Sequence, residues 1–153
     1  MAEIHLQVQL PRPPADVWKA VFSPAARQVW WAYGVQLHPQ SGSHFYEFWR
    51  DGEGHNRVSR GRVLGLKKNR LLRLSWQDDD WPTATQVEIK LASRRDSTIL
   101  NLAHTGFEAL GPKLQYNVEE YTAGWEALLE DLRTYLEGPA EGLALPLEMD
   151  KES

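Results

Sequence analysis

The feature that most constrains this chain is a long one-sided helix near its end. Val118, Tyr121, Trp125, Leu128, Leu129, Leu132 and Leu136 recur at spacings of three and four, which places them on one apolar stripe. Asn117 suits the N-cap, and Glu120 sits where it can reach back as in a capping box. Gly138-Pro139 stops the pattern. About 20 helical residues span about 30 Å. A stripe of that length must be covered by another apolar surface, and the preceding residues read as strands that can supply one.

Ile4, Leu6, Val8 and Leu10 alternate with His5, Gln7 and Gln9, the pattern of a half-buried strand. Pro14 fits the first turn of a helix that carries Val17, Trp18, Val21 and Phe22 at helical spacing. Ser23-Pro24 then reads as the N-cap and first residue of a second short helix running towards Trp30. Gly34 to Leu37 is a short strand, and His44 to Trp49 an aromatic-rich one. In the latter, Phe45, Glu47 and Trp49 share one face and Tyr46 and Phe48 the other; both faces are apolar, so the pattern does not choose the inward one. Val58–Leu66 and Arg70–Trp76 form a strand pair, Asp78 to Pro82 a polar loop, and Thr85–Leu91 a cleanly alternating strand with Val87 and Ile89 on its apolar face. Thr98, Leu100, Leu102 and His104 share a face of the last strand, which ends at Thr105-Gly106-Phe107. The order is strand, two short helices, about six antiparallel strands and one long helix: an α+β fold with a sheet wrapped around its closing helix.

At 153 residues the chain fits one domain, expected over 3–137, with a flexible tail over 138–153. The net charge of −4 argues against a nucleic-acid partner, and Arg60, Arg62, Lys67, Lys68 and Arg70 read as a solvated hairpin rather than a binding patch. No apolar run approaches the length of a membrane span. The chain has no cysteine, and Met1-Ala2-Glu3-Ile4-His5 lacks a signal-peptide core, so the expected location is cytoplasmic. The histidines lack metal-ligand spacing, Asp78-Asp79-Asp80 reads as a solvated loop, and no phosphate loop or nucleophile elbow is present. No catalytic residue, metal or cofactor is therefore expected.

Several residues together carry a family resemblance: Pro14 with Val17-Trp18, Ser23-Pro24, Trp30-Trp31, Gly42 before Phe45, and Gly61 with Val63. Leu74-Ser75-Trp76, Thr98 before Leu100 and Leu102, His104-Thr105-Gly106-Phe107, and Gly124-Trp125 with Leu132 continue it. In their order and spacing, over roughly residues 3–137, these resemble the START-like, or SRPBCC, helix-grip superfamily. Within it the resemblance is to the homologues of the activator of the heat-shock chaperone ATPase. The resemblance implies a curved antiparallel sheet of six to seven strands gripping the C-terminal helix around a cavity. It also implies relatives that bind lipids or other apolar molecules, cyclise or hydrolyse them, or act on chaperones. Chaperone activators of this kind carry a further N-terminal domain, whereas this sequence starts at the first strand, so direct chaperone activation is not expected to carry over.

The seven tryptophans can fill a core or wall a pocket, because each is a large rigid apolar body with one donor. The expected ligand-binding residues are Trp18, Trp30, Phe45, Glu47, Leu74, Trp76, Val87, Ile89, Leu100, Leu102, His104, Phe107, Tyr121, Trp125, Leu128 and Leu129. His104 has two readings: a core histidine bonded to backbone or to Tyr121, or a ligand contact. Glu47, if inward, would sit near the cavity with a raised pKa. The expected function is non-enzymatic binding of a small hydrophobic ligand, lipid-like or aromatic and polycyclic, between sheet and helix. The alternatives are a protein-interaction module of the chaperone-activator type and a cyclase- or hydrolase-like enzyme. Tyr46 and Phe48 leave room for a homodimer contact.

Overall fold

The computed structural model describes residues 3–31, 34–112 and 117–138. The cap expected from the Asn117 side chain and the tail beyond Gly138 lie outside what is described. Seven strands form one antiparallel sheet in the order β1-β7-β6-β5-β4-β3-β2. They are β1 (Ile4–Leu10), β2 (Gly34–Gln36), β3 (His44–Arg50), β4 (Asn56–Lys67), β5 (Leu71–Asp78), β6 (Thr85–Arg94) and β7 (Ser97–Thr105). Helices α1 (Pro14–Phe22) and α2 (Pro24–Trp30) follow β1, and α3 (Asn117–Leu136) closes the fold. A 3-10 turn, Phe107–Leu110, which the sequence pattern did not announce, links β7 to α3. This is a helix-grip fold, a curved sheet with α3 against its hollow side.

Strand alternation decides what the hollow side holds. Ile4, His104, Val87, Leu74 and Val63 pair in register across five strands. All five are buried, so one row of the sheet is core from β1 to β4. On β3, Phe45 and Glu47 face inward and Tyr46 and Phe48 outward, which settles the face that the sequence left open. β4 carries a register shift between Val63 and Gly65. Such irregularities bend a strand and increase its twist.

The short helices are stitched by their own side chains. Ser23 Oγ accepts from the Ala26 N–H at 3.2 Å, the expected N-cap. Trp30 Nε1 donates to the Ala20 carbonyl at 3.0 Å, and the buried Arg27 donates to the Val21 carbonyl at 2.8 Å. The C-terminal end of α3 is held from a distance. Arg12 Nε donates to the Leu136 carbonyl at 3.1 Å, and its Nη2 to that of Gly138. A guanidinium there satisfies orphan carbonyls and sits at the negative end of the helix dipole.

Gly61 marks the closest approach in the sheet. A Cβ at that position would lie 1.8 Å from the Ser75 carbonyl oxygen, which is backbone and cannot step aside. Gly61→Ala should therefore destabilise the protein by about 3 kcal/mol, read as a lowered urea midpoint. An unchanged midpoint would mean that β4 and β5 do not pack this closely.

Candidate functional site

The hollow of the sheet is filled at one end and open at the other. Beside β3, β4 and the first turns of α3 lies a cleft of about 570 Å³. β3 and the following loop contribute Glu47, Trp49, Arg50, Asp51 and Gly52; β4 contributes Arg57. β5 and its loop contribute Trp76, Asp78, Asp80 and Trp81. α3 contributes Glu120, Tyr121, Gly124, Trp125, Ala127, Leu128 and Asp131.

The cleft floor follows from strand register. Glu47 pairs with Ser59, and Ser59 with Asp78, so three neighbouring strands bring polar groups into one row. Ser59 Oγ donates to Asp78 Oδ1 at 2.6 Å, and the Tyr121 hydroxyl donates to Asp78 Oδ2. Trp49 Nε1 donates to Ser59 Oγ at 3.1 Å, and Trp76 Nε1 to the Tyr121 oxygen at 3.2 Å. Both Asp78 oxygens are thus engaged. Burial still pushes the Asp78 carboxyl above its ordinary pKa, against the pull of the Ser59 and Tyr121 hydrogen bonds. Burial, and then the neighbouring Asp78 charge, push the Tyr121 phenol up as well.

Glu47 is less well served. It is 8% exposed, and its Oε2 accepts from Trp31 Nε1 at 2.8 Å. Desolvation raises its pKa to about 7; the Trp31 bond opposes this and the Asp78 charge adds to it. One buried carboxyl in the cleft therefore exchanges its proton near neutrality. At the rim, Asp51 Oδ1 accepts from the Glu53 and His55 N–H groups, both at 2.9 Å, and the His55 bond leads in holding its pKa down. Asp51, Glu53 and His55 bring ligand-type atoms within 4.8 Å of one another, but the partly buried Asp51 carboxylate already serves the turn. Arg57 is paired with Asp51, Asp79 and Asp80 and lies over the Trp49 ring.

His104 lies outside the cleft lining. It is fully buried, and Trp125 Nε1 donates to its Nδ1 at 3.1 Å. That bond places the imidazole proton on Nε2, which donates to Thr85 Oγ1 at 2.7 Å; Thr85 in turn donates to the Trp76 carbonyl at 2.8 Å. Desolvation lowers the His104 pKa to about 3, so the ring is neutral. Its partners are Thr85 and Trp125 rather than backbone or Tyr121, although the Tyr121 ring meets it edge-on at 5.4 Å.

Of the residues singled out from the sequence, Glu47, Trp76, Tyr121, Trp125 and Leu128 come together on the cleft. Phe45, Leu74, Val87, Leu100, Leu102, Phe107 and Leu129 are buried in the packed core with His104, and Ile89 packs partly buried against it. Trp18 meets Phe22 at 4.8 Å within α1, and Trp30 meets Trp31 at 5.4 Å at the end of α2, both with tilted rings. The residues not foreseen are Asp78, Ser59, Trp31 and Trp81. Asp78 had a signal: it continues the two-residue period of Leu72, Leu74 and Trp76. Trp81 is 4% exposed and contacts Tyr121 at 5.3 Å, tucked under the acidic loop.

The Glu47 proton makes stability depend on pH. Its pKa is 4.5 when unperturbed and about 7 in the fold. Between those values the folded state keeps a proton that the unfolded state has released, so this contribution falls as pH rises towards 7 and is flat above it. His104 acts in the opposite sense, adding stability as pH rises from about 3 to 6.5. Glu47→Gln removes only the first effect. Its stability relative to the parent protein should rise by about 3 kcal/mol between pH ~4.5 and pH ~8, measured by urea denaturation at both. A difference that stays constant over this range would show that the carboxyl is not desolvated.

Among the described residues, no helix is long and apolar enough to cross a membrane. No curated protein matches the chain significantly. Solved structures share its fold. The Chromobacterium violaceum protein CV1439 is 24% identical over 90% of this chain and 99% of its own, with a TM-score of 0.74. CalU16 from Micromonospora echinospora is 23% identical, covering 97% of this chain and 79% of its own, with a TM-score of 0.66. The Aha1 dimer from Colwellia psychrerythraea, solved in solution, is 17% identical over 90% of this chain and 97% of its own, with a TM-score of 0.69. The profile of the family described as Activator of Hsp90 ATPase homolog 1-like protein matches residues 11–137. With that match over most of its length, the chain belongs to this family, within the START-like helix-grip superfamily.

Proposed function

We propose that the protein binds a planar, mainly apolar small molecule in the cleft between the sheet and α3, without converting it. The observation that carries this reading is the cleft itself: about 570 Å³, walled by the indoles of Trp76, Trp81 and Trp125 and the Tyr121 ring. Clefts of a few hundred cubic ångströms with aromatic walls and a few fixed polar groups suit ring-shaped ligands. The buried Glu47 carboxyl on the floor, which receives a single donor, favours an aromatic ligand with a polar edge over a lipid chain, because a chain would offer it no partner. Burial of the ring drives binding at about 25 cal/mol per Å², and the floor orients it.

Gly124 offers a test that leaves the core alone. It is exposed on the cleft side of α3, and a Cβ there meets nothing within 4 Å. Gly124→Phe should project a ring into the cleft and weaken binding of the neutral dye Nile red at least about tenfold, followed by dye emission. Gly124→Ala should retain binding and stabilise the helix by about 0.5–1 kcal/mol. Equal dye binding by the parent and Gly124→Phe would place the ligand elsewhere or remove it.

A second reading, self-association through the outer face of β3, is favoured by a separate observation. Phe48 is 48% exposed, and Tyr46 stacks with both His44 and Phe48 on that face. Sedimentation velocity should then show a dimer that Phe48→Glu converts to monomer. A parent protein that stays monomeric at high concentration removes this reading.

A further inference from the structure

We infer that the ligand of the cleft carries a basic nitrogen, held on the Glu47 carboxylate with its ring against the cleft's indoles. This inference rests on the binding reading above and deepens it. Charge is the first observation. The cleft presents carboxyl groups from Glu47, Asp51, Asp78, Asp80, Glu120 and Asp131 against the guanidiniums of Arg50 and Arg57 alone. Arg57 is paired with Asp51 and Asp80 of these and with Asp79, which leaves Glu47, Asp78, Glu120 and Asp131 facing only Arg50, exposed at the rim. A field of this sign concentrates cations and repels anions.

The second observation is the inequality of the two buried carboxyls. Asp78 has hydroxyl donors on both oxygens, from Ser59 and Tyr121. Glu47 receives one donor, the Trp31 indole, although its side chain is almost wholly buried and lines the same cleft. A desolvated carboxyl with an acceptor to spare gains most from a donor that brings positive charge. The third observation is the wall: indole faces attract a cation and stack on a ring at once. A neutral ligand would use the wall and leave the carboxyl protonated. A cation would displace that proton, because an opposite charge favours the ionised form.

Three probes sharing one ring decide the matter: naphthylmethylamine, naphthylmethanol and naphthoate, titrated calorimetrically into the full chain at about pH 6, below the Glu47 pKa of about 7. Repeating the amine titration in two buffers of different ionisation heat counts the protons released. The charged groups that bear on that count besides Glu47 are Asp78 on β5, Asp80 on the loop after it, Arg50, Asp51 and Arg57 around the hairpin, and Glu120 and Asp131 on α3. The amine should bind at least about tenfold more tightly than the alcohol, naphthoate should bind most weakly, and close to one proton should leave per amine bound. Glu47→Gln should erase both the preference and the proton release while still binding the alcohol. Equal affinity for amine and alcohol, or a preference that survives Glu47→Gln, overturns the inference and leaves the cleft reading standing. Failure of all three probes to bind overturns the cleft reading, and this inference with it. The proton count on the parent protein stands even if the variant does not fold.

Discussion

The structure depends on how α3 is fastened to the sheet. Two indole N–H groups and one hydroxyl make the attachment: Trp125 on the helix donates to His104 on β7, Trp76 on β5 donates to Tyr121 on the helix, and Tyr121 donates to Asp78 on β5. The four rings also pack together, with Trp76 and Trp125 centroids 5.2 Å apart and His104 and Trp125 6.0 Å apart. Apolar stripes alone would let a helix slide along a sheet, because burial by area has no direction. Hydrogen bonds in a dry setting fix height and rotation, since a slip would leave buried donors unmade. With α3 held there, Leu129, Leu132 and Leu136 seal one end of the hollow, and the space beside β3 and β4 is left open.

That attachment requires polar atoms inside an aromatic core, and the network is arranged so that nearly all of them are satisfied. The path Trp125 to His104 to Thr85 to the Trp76 carbonyl uses each hydrogen once and fixes one imidazole tautomer. The path from Trp49 and Trp76 through Ser59 and Tyr121 closes on Asp78. Glu47 departs from this economy. It is buried with a single donor, at a site where an apolar residue of similar size would cost less. Two buried networks are complete, whereas this carboxyl is left with one donor where the cleft opens. Buried carboxyls of shifted pKa cluster at sites of function for this physical reason.

Local pattern carried most of the fold. Alternation identified β1, β6 and β7 and placed His104 on the inner face; the Ser23-Pro24 cap, the closing helix and the family resemblance agreed with it. Less of the site was legible, because its chemistry is nonlocal. Glu47 meets Trp31 from just after α2, Asp78 meets Tyr121 from α3, and Arg12 reaches the far end of the helix. None of these pairs shares a local period; each follows from strand register and from where the helices land. His104 shows the limit most clearly. Its burial could be read from its neighbours at every second position, whereas its engagement by Thr85 and Trp125 could not. That engagement leaves the imidazole neutral inside the core and hands the ionisable role in the cleft to a carboxylate.

The open end of the hollow is set by few atoms. On the cleft side of α3, Glu120, Gly124, Ala127 and Asp131 succeed one another at helical spacing, while Leu129, Leu132 and Leu136 turn towards the core. The middle two cleft positions carry a hydrogen and a methyl group. A larger side chain at either would take up part of the cleft. Gly124 also lowers the stability of an interior helical turn, a cost that alanine would avoid. Gly124 and Ala127 line the same cleft as the Glu47 carboxyl with its single donor, the arrangement that the proposed receptor role requires.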